Sequence, residues 1–438
     1  MVINLKESIN KLPINQILST IIDTSLANDA NYIHIEPLHD VVRIKHRISG
    51  ELLIDSEISK KRFKNLSDKI KKLANIQTGY VDLISSGSFR YIWNEQIYGL
   101  RVYIMPTING EKITIKIQNE SPISTTLEAL GFWGSGLETI RQAIGLKSGL
   151  ILVTGPNDSG KSKTIATMLA SIDNPSINIA TLEDPVEYKI PRSNQTQINH
   201  KTNLNFINGI KILLKQDTDV IMLSELTNLL TISETLDSVM HKKLVISSLN
   251  TTSSVETITK LLDSGISPES LAFTLKIIIS QRLVKRLCQN CRQLVDIDKT
   301  SFDKINKLFE LNNPSNMRYV HNLELEYYQD KLGENHKISP KILSSTETKL
   351  KKIWISKPAN CTKCHGSGFS GRIAVAEILK NSPEIEKLIV TKSKDLLINK
   401  QAVKEGMVNL LVEGLIKVLV GETTIDEIIN LTKGSYLA

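Results

Sequence analysis

The chain has 438 residues, which is enough for two to four domains of about 100 to 200 residues each. Hydrophobic residues make up 41% and charged residues 23% of the chain, so the composition excludes general disorder and a fibrous repeat. The 54 Lys and Arg residues exceed the 46 Asp and Glu residues, but they are spread along the chain instead of forming one stripe, so direct binding of nucleic acid is not expected.

The chain is predicted to be cytoplasmic. Its polar start, MVINLKESINKLPINQ, lacks the apolar core of a signal peptide. No stretch approaches the roughly 18 uninterrupted apolar residues that a membrane-spanning helix needs.

The first 120 residues have the pattern of a small α+β domain. Apolar residues between Ile14 and Leu26 recur at helical spacing, and VVRIKHRI (41–48) alternates apolar with basic residues, as a half-buried strand does. A Lys-rich helix is predicted over about 60–74, and Asn-Gly turns join further strands after it. These elements predict an α+β domain over residues 1–120.

Residues 121–136 are dense in Ser, Thr, Pro and Gly, as is typical of a linker. After it, apolar runs alternate with helix-length segments, which predicts a parallel sheet with helices on both faces over residues 137–285. The runs are GLILVTG, INIATLE, DVIMLSE and KLVISSLN. Residues 286–380 hold four cysteines and a polar stretch at 301–352, and residues 381–438 are predicted to form a helical tail.

The strongest chemical motif is GPNDSGKS, which matches G-x-x-x-x-G-K-[ST] between a buried strand and a helix. In such a P-loop, backbone N–H groups face nucleotide phosphates, Lys161 reaches the β and γ phosphates, and Ser162 ligates Mg²⁺. The predicted nucleotide-binding residues are Gly155, Pro156, Asn157, Asp158, Ser159, Gly160, Lys161, Ser162 and Lys163. The motif therefore predicts binding of ATP with Mg²⁺.

Carboxylates are also needed near the γ-phosphate, to orient or deprotonate the attacking water. Glu183 is the last residue of the run INIATLE, and Asp184 comes directly after it. Glu225 follows the strand DVIMLS. Both sites are expected at the carboxyl edge of the sheet, where α/β proteins bind ligands. We predict Glu225 as the base that orients water, with Glu183 and Asp184 as supporting acids. A solvated carboxylate at a strand end is the alternative for each.

The four cysteines form two C-x-x-C pairs, Cys288 with Cys291 and Cys361 with Cys364. In a reducing compartment, two such pairs are typical of a tetrahedral structural zinc site. The alternatives are unligated core cysteines or a site lost on one side. The pattern predicts a Zn²⁺ that stiffens the subunit without catalysing, because four thiolates leave no coordination position open.

Three segments, TLEDPVEY, LLKQDTDVIMLSE and SQRLVKRLCQNC, resemble the acidic box, the Walker B region and the segment after the core in the ATPases of type II secretion and type IV pilus assembly. YIHIEP, GLRVYIMPTINGEK and CTKCHGSGFSGRIAVAEIL extend the resemblance. It implies an α/β fold with a RecA-like P-loop core, a homohexameric motor, an inner-membrane platform protein as partner, and a place at the inner face of the cytoplasmic membrane. It also implies that Arg101 acts as a charge clamp on the nucleotide.

Several positions around the predicted nucleotide site depart from this family's pattern. Asn157 and Asp158 stand where relatives have Thr and Gly, and the segment 224–228 keeps Glu225 but lacks the Arg and Asp of G-E-I-R-D. Both histidines of the family's histidine box are absent, and Asn250 stands in one of their places. The segment 85–88 reads SSGS instead of Q-D-G-R and lacks a further arginine.

These departures favour slow turnover and keep other hypotheses open beside the motor. The second hypothesis is a catalytically weak or inactive scaffold subunit that binds nucleotide. The third is a nucleic-acid translocase, although aromatic residues, which would stack on bases, make up only 5% of the chain.

Overall fold

The computed structural model describes residues 9–28, 30–48, 51–78, 83–119, 123–172, 174–199, 202–333, 341–359, 361–364 and 366–433. The chain divides into two compact units. The first holds the residues up to Pro122 together with Glu187–Lys189, and the second holds Ile123–Val186 and the residues from Ile190 onward.

The first unit is an α+β domain, as predicted. Its helical elements are a 3-10 turn (Ile9–Lys11), α1 (Ile14–Ala27) and α2 (Lys60–Leu73). Its strands are β1 (Ala30–Pro37), β2 (Val41–Ile48), β3 (Glu51–Ser59), β4 (Ser85–Trp93), β5 (Gln96–Thr107) and β6 (Gly110–Asn119). They form one antiparallel sheet in the order β3-β2-β1-β6-β5-β4. The apolar stripe of α1 packs on alternate residues of this sheet, including Ile33 and Ile35.

The second unit is built on a seven-stranded sheet. Its strands are β7 (Gly149–Thr154), β8 (Ile179–Glu183), β9 (Ser193–Gln197), β10 (Val220–Leu223), β11 (Leu244–Leu249), β12 (Leu275–Leu287) and β15 (Phe369–Lys380), and β13 (Arg292–Asp296) pairs separately with β14 (Lys352–Ser356). The order is β15-β12-β7-β11-β10-β8-β9. Every residue of β7, β8, β10 and β11 is buried, which explains why these strands read as continuous apolar runs.

Thirteen helices accompany these sheets in the described part of the second unit. They are α3 (Leu127–Leu130), α4 (Gly134–Ile144), α5 (Lys161–Ala170), α6 (Phe206–Leu213), α7 (Leu229–Met240), α8 (Ser254–Asp263), α9 (Pro268–Thr274), α10 (Lys299–Phe309), α11 (Pro314–Leu332), α12 (Pro383–Val390), α13 (Asp395–Lys404), α14 (Leu410–Leu419) and α15 (Ile425–Lys433). The α/β class, the smaller α+β unit before the core and the helical C-terminal region are confirmed. Within the described ranges, no helix is both long and apolar enough to cross a membrane.

The sheet differs from the prediction at one edge. β7 to β12 run parallel to their neighbours, but β15 pairs antiparallel with β12, so the sheet is mixed. β12 and β15 are joined through the cysteine region, which returns the chain in the opposite direction. The structure also places residues 123–136 within the second unit, and a further division of that unit at residues 285 and 380 stays a prediction.

The polar stretch 301–352, to which the sequence analysis assigns neither helix nor strand, contains α11 and most of α10. The apolar residues of α11 that are buried, Met317, Val320, Leu323 and Tyr327, recur every three or four positions. They pack with α14 in one apolar cluster. The many Asn, Lys and Glu residues between them dilute this stripe in the sequence.

Candidate functional site

The P-loop follows β7, a central strand that pairs with β11 on one side and with β12 on the other. Thr154, the last residue of β7, is in register with Leu249 of β11 and with Ser280 of β12. The loop then turns into α5, whose first residue is Lys161. The carboxyl ends of β7, β8, β10 and β11 therefore share one edge of the sheet, where a ligand can reach them.

Two glycines shape this loop. Gly155 has φ 149° and Gly160 has φ 89°, and both values favour glycine. A Cβ atom on Gly155 would lie 2.4 Å from Ser159 Oγ and 2.5 Å from the carbonyl oxygen of Gln281. The backbone thus forms a cradle that a side chain would fill, as phosphate binding by backbone N–H groups requires.

The predicted phosphate ligands lie at the start of α5. Lys161 Nζ donates to the carbonyl oxygens of Gly155 at 2.8 Å and Pro156 at 2.9 Å, so the ammonium lies over the loop. Ser162 and Lys163 are exposed in the first turn of the helix. Because the first N–H groups of a helix have no partner within it, this end carries a partial positive charge. The loop and its side chains fit a nucleotide phosphate with Mg²⁺.

The two P-loop residues that depart from the family pattern are both exposed. Asp158 has φ 61°, in the left-handed region that Asp and Asn enter more readily than most residues. Asn157 Oδ1 accepts a hydrogen bond from Asn250 Nδ2 at 3.3 Å. Two substituted positions that are far apart in the sequence, one in the P-loop and one after β11, therefore lie in contact.

Glu225 follows β10, which is separated from the P-loop strand by β11 alone. Neighbouring strands are about 4.8 Å apart, which places the axes of β10 and β7 about 10 Å from each other. Ser248 of β11 holds the backbone on both sides of this acid: its hydroxyl donates to the carbonyl of Ser224 at 2.6 Å, and its carbonyl accepts from Leu226 N–H at 2.9 Å. Glu225 itself is half-buried.

Glu183 and Asp184 lie one strand farther away, at the end of β8, roughly 14 Å from the axis of β7. Glu183 is buried, and its Oε1 accepts from Thr181 Oγ1 at 2.6 Å and from Gln195 Nε2 at 2.9 Å. This carboxylate thus ties β8 to β9, a role that the sequence does not predict. Asp184 is exposed and its N–H donates to Ser224 Oγ at 3.2 Å. Their roles as supporting acids stay predictions.

Asn228, the last residue of the substituted segment 224–228, has a structural role. Asn228 is the N-cap of α7, and its Oδ1 accepts from Thr231 N–H at 2.9 Å. Asn and Asp serve almost equally well at this position of a helix. The change from Asp to Asn is therefore compatible with the same local fold.

The first unit holds the predicted charge clamp. Arg101 lies on β5, opposite Ser88 of β4 and Lys116 of β6, and is half-buried. The segment 85–88 forms the start of β4. The contribution of Arg101 to nucleotide binding stays a prediction.

The four cysteines meet in one cluster, and none of them is in a disulfide. Cys288 Sγ lies 3.8 Å from Cys361 Sγ, and Cys291 Sγ lies 3.7 Å from Cys364 Sγ. A zinc tetrahedron with Zn–S bonds of about 2.3 Å has edges of about 3.8 Å, so the thiols fit that ion. The two Cys pairs, which are far apart in the sequence, meet because Leu287 of β12 pairs with Phe369 of β15, so both Cys pairs lie at the same end of this antiparallel strand pair.

Comparison with known proteins agrees with this arrangement. The profile of a family described as type II/IV secretion system protein matches residues 7–430. The type IV pilus assembly ATPase PilB of Thermus thermophilus is 31% identical over 412 residues, which cover 94% of this chain and 42% of that protein. The putative type II secretion system protein E of Escherichia coli K12 is 28% identical over 423 residues, which cover 97% of this chain and 78% of that protein.

Solved structures show the same fold. The Legionella pneumophila ATPase DotB superposes with a TM-score of 0.64 at 16% identity, covering 96% of each chain. The pilus retraction motor PilT with bound ADP superposes with a TM-score of 0.56 at 19% identity, covering 94% of this chain and 95% of that one. The chain spans less than half the length of the Thermus relative.

Proposed function

This chain belongs to the type II/IV secretion system protein family, and from that premise we propose that it is an ATP-hydrolysing motor for the assembly of a type IV pilus or a type II secretion pseudopilus. The observation that carries the proposal is the P-loop cradle, which sits at the same sheet edge as Glu225. Relatives named as pilus assembly and type II secretion ATPases support it.

In the proposed reaction, N–H groups at the start of α5 and the ammonium of Lys161 bind the β and γ phosphates of ATP. Ser162 would ligate Mg²⁺, which neutralises phosphate charge when bound. Glu225 orients a water molecule and accepts its proton. The water oxygen then bonds to the γ-phosphorus while the bond to the β–γ bridging oxygen breaks, giving ADP and phosphate.

Glu225 is favoured over Glu183 as the base for two reasons. Its strand is nearer to the P-loop strand in the sheet order. Its backbone is held by Ser248, whereas the carboxylate of Glu183 is buried and already accepts two hydrogen bonds. We assign Glu183 and Asp184 to the support of the sheet edge, and Arg101 to a charge clamp on the nucleotide.

The assembly we propose is a homohexamer that acts on an inner-membrane platform protein from the cytoplasmic side. Zn²⁺ bound by the four cysteines would hold together one end of the antiparallel pair of β12 and β15 and take no part in catalysis, because four thiolates fill its coordination shell.

A second candidate function, a nucleotide-binding scaffold with slow or no turnover, is favoured by Asp158 and Asn250. A carboxylate within the P-loop disfavours phosphate binding by charge repulsion. Asn250 supplies a neutral amide where relatives supply a histidine. Both candidates require nucleotide binding, and they differ in turnover.

Nucleotide binding is tested by titrating the zinc-loaded protein with MgATP and MgADP. We expect Lys161→Ala to weaken MgATP binding by about 10- to 100-fold, because it removes hydrogen bonds from a charged donor. Lys147→Ala is the matched control, since Lys147 is exposed just before β7, at the opposite end of the same strand. Equal affinities of the wild type, K161A and K147A would contradict the assignment of the P-loop.

A further inference from the structure

The segment SQRL (280–283) of β12 contacts the P-loop. β12 is a direct neighbour of β7, the strand that leads into this loop. Gln281 is fully buried, and its Nε2 donates to the carbonyl of Ser159, in the middle of the P-loop, at 2.8 Å. The two residues are 122 positions apart in the chain. A buried carbonyl loses its hydrogen bonds to water, and the amide of Gln281 supplies a donor in their place.

The P-loop glycines pack on the same residue. The carbonyl oxygen of Gln281 is the atom 2.5 Å from a Cβ built on Gly155, and its Nε2 is 3.1 Å from a Cβ built on Gly160. Both turns of the loop thus lie directly against Gln281. The backbone carbonyl of Gln281 at Gly155, and its side-chain amide at Gly160, therefore limit how closely the loop approaches β12.

The next residue of β12 holds a second loop at the same sheet edge. Arg282 is buried, and one of its guanidinium nitrogens, Nη2, donates to the carbonyl of Thr252 at 2.6 Å. The other, Nη1, donates to the carbonyl of Gln281 at 3.0 Å. Thr252 lies in the short loop between β11 and α8, two residues after Asn250. Arg282 therefore connects the β11–α8 loop to the strand that carries Gln281.

We propose that Gln281 and Arg282 are positioning residues that hold the P-loop and the β11–α8 loop in register with each other. This inference rests on the proposed function, because the two loops flank the proposed nucleotide site. Neither residue is a catalytic residue, since each acts on backbone carbonyls.

Two substitutions at Gln281 remove its hydrogen bond to the carbonyl of Ser159 with little change in volume. Gln281→Met keeps an unbranched side chain of similar length but has no N–H donor, and Gln281→Glu keeps the shape while replacing the donor by an acceptor. Ser280→Ala is the matched control, because Ser280 is its buried neighbour whose Oγ has no hydrogen-bond partner within the described ranges. Arg282→Met tests the second loop.

Hydrogen exchange of the nucleotide-free protein is the first readout, because it needs neither nucleotide nor turnover. We expect Q281M to speed exchange about 10-fold at residues 155–163, and R282M to do so at residues 250–253, while α7 exchanges as in the wild type. Should Q281M fail to fold, Q281E and R282M carry the same comparison.

Affinity for MgADP is the second readout. We expect it to weaken about 10-fold in Q281M and to stay unchanged in S280A. Wild-type exchange at both loops in folded Q281M and R282M would overturn the inference, whatever the affinity. A wild type that binds nucleotide without hydrolysing it would instead contradict the motor and leave this inference standing.

Discussion

The hydroxyl of Ser248 donates a hydrogen bond of 2.6 Å to the carbonyl of Ser224, the residue that precedes Glu225. One position earlier on β11, the hydroxyl of Ser247 donates to the carbonyl of Leu223 at 2.9 Å. Both serines are buried. The two contacts are alike in chemistry and burial, but only the Ser248 contact adjoins the proposed base.

We therefore expect Ser248→Ala to lower kcat by roughly 10- to 100-fold, since a small displacement of Glu225 misaligns the attacking water. Affinity for MgATP should not change, because the P-loop is untouched. Ser247→Ala should cost the same stability, about 1 kcal/mol in urea unfolding, and leave kcat at the wild-type value. Equal kcat values for S248A and S247A would contradict the role given to Ser248.

The buried pair of Lys417 and Glu413 ties α14 to its surroundings. Lys417 Nζ lies 3.1 Å from Glu413 Oε1 and donates to the carbonyl of Ala374 at 2.6 Å, and Trp133 Nε1 donates to the same carboxylate oxygen at 3.0 Å. We expect Lys417→Met to lower the free energy of unfolding by about 3 to 5 kcal/mol, because it leaves a buried carboxylate without its charge partner.

The double variant Glu413→Gln, Lys417→Met serves as the control for that experiment. The neutral amide oxygen can still accept from Trp133, and no charge is left unpaired. The double variant should be more stable than K417M in guanidinium unfolding at pH 7. Simple additivity of the two single substitutions would show that the charges are not coupled.

Glu324 should make stability depend on pH. Burial raises its pKa to about 7, although hydrogen bonds from the backbone N–H groups of Ser344 and Ser345 oppose that effect. Because the carboxyl binds a proton more tightly in the folded state than in the unfolded one, this group's contribution to stability falls as pH rises from about 4.5 to about 7.

Glu324→Gln removes this titration and also weakens the hydrogen bonds to the serines. We expect the free energy of unfolding of E324Q, relative to the wild type, to improve by on the order of 2 kcal/mol between pH 5 and pH 8. The readout is the slope of this free-energy difference against pH. The lost hydrogen bonds change the difference by a constant and leave its slope unchanged. A difference that is independent of pH would contradict the raised pKa.

The zinc site predicts a metal content and a stability effect. Metal analysis of the purified protein should find one zinc per chain. Cys361→Ser should lower zinc content and reduce Tm by on the order of 5 to 10 °C, because the site then lacks one of its four ligands. Gln289→Ser, an exposed position between two of the cysteines, should change neither quantity. Wild-type zinc content in C361S would contradict a four-thiolate site.

The P-loop and the four apolar strands could be predicted from the sequence because each is a contiguous pattern. The predicted phosphate-binding residues of GPNDSGKS are consecutive in the chain. A strand buried on both faces must be apolar at nearly every position. The candidate zinc site could be predicted because two C-x-x-C pairs have few other uses in a reducing compartment.

Contacts that depend on strand register could not be predicted. Neither Ser248 nor Gln281 carries a local signal, because their partners, Ser224 and Ser159, are reached only through the sheet order and the parallel register. Likewise, Glu183 follows an apolar run as a ligand-facing acid would, yet its carboxylate meets Gln195 of β9. A short, polar edge strand such as β9 lacks the apolar run that identifies the central strands.

Steady-state hydrolysis of MgATP by the zinc-loaded protein, with Glu225→Gln beside it and binding measured separately, tests the central claim most directly. The account predicts measurable wild-type turnover, MgATP binding by E225Q close to that of the wild type, and kcat of E225Q lower by about 100-fold or more. Nucleotide binding with a rate of phosphate release that E225Q leaves unchanged would contradict the motor and favour the scaffold.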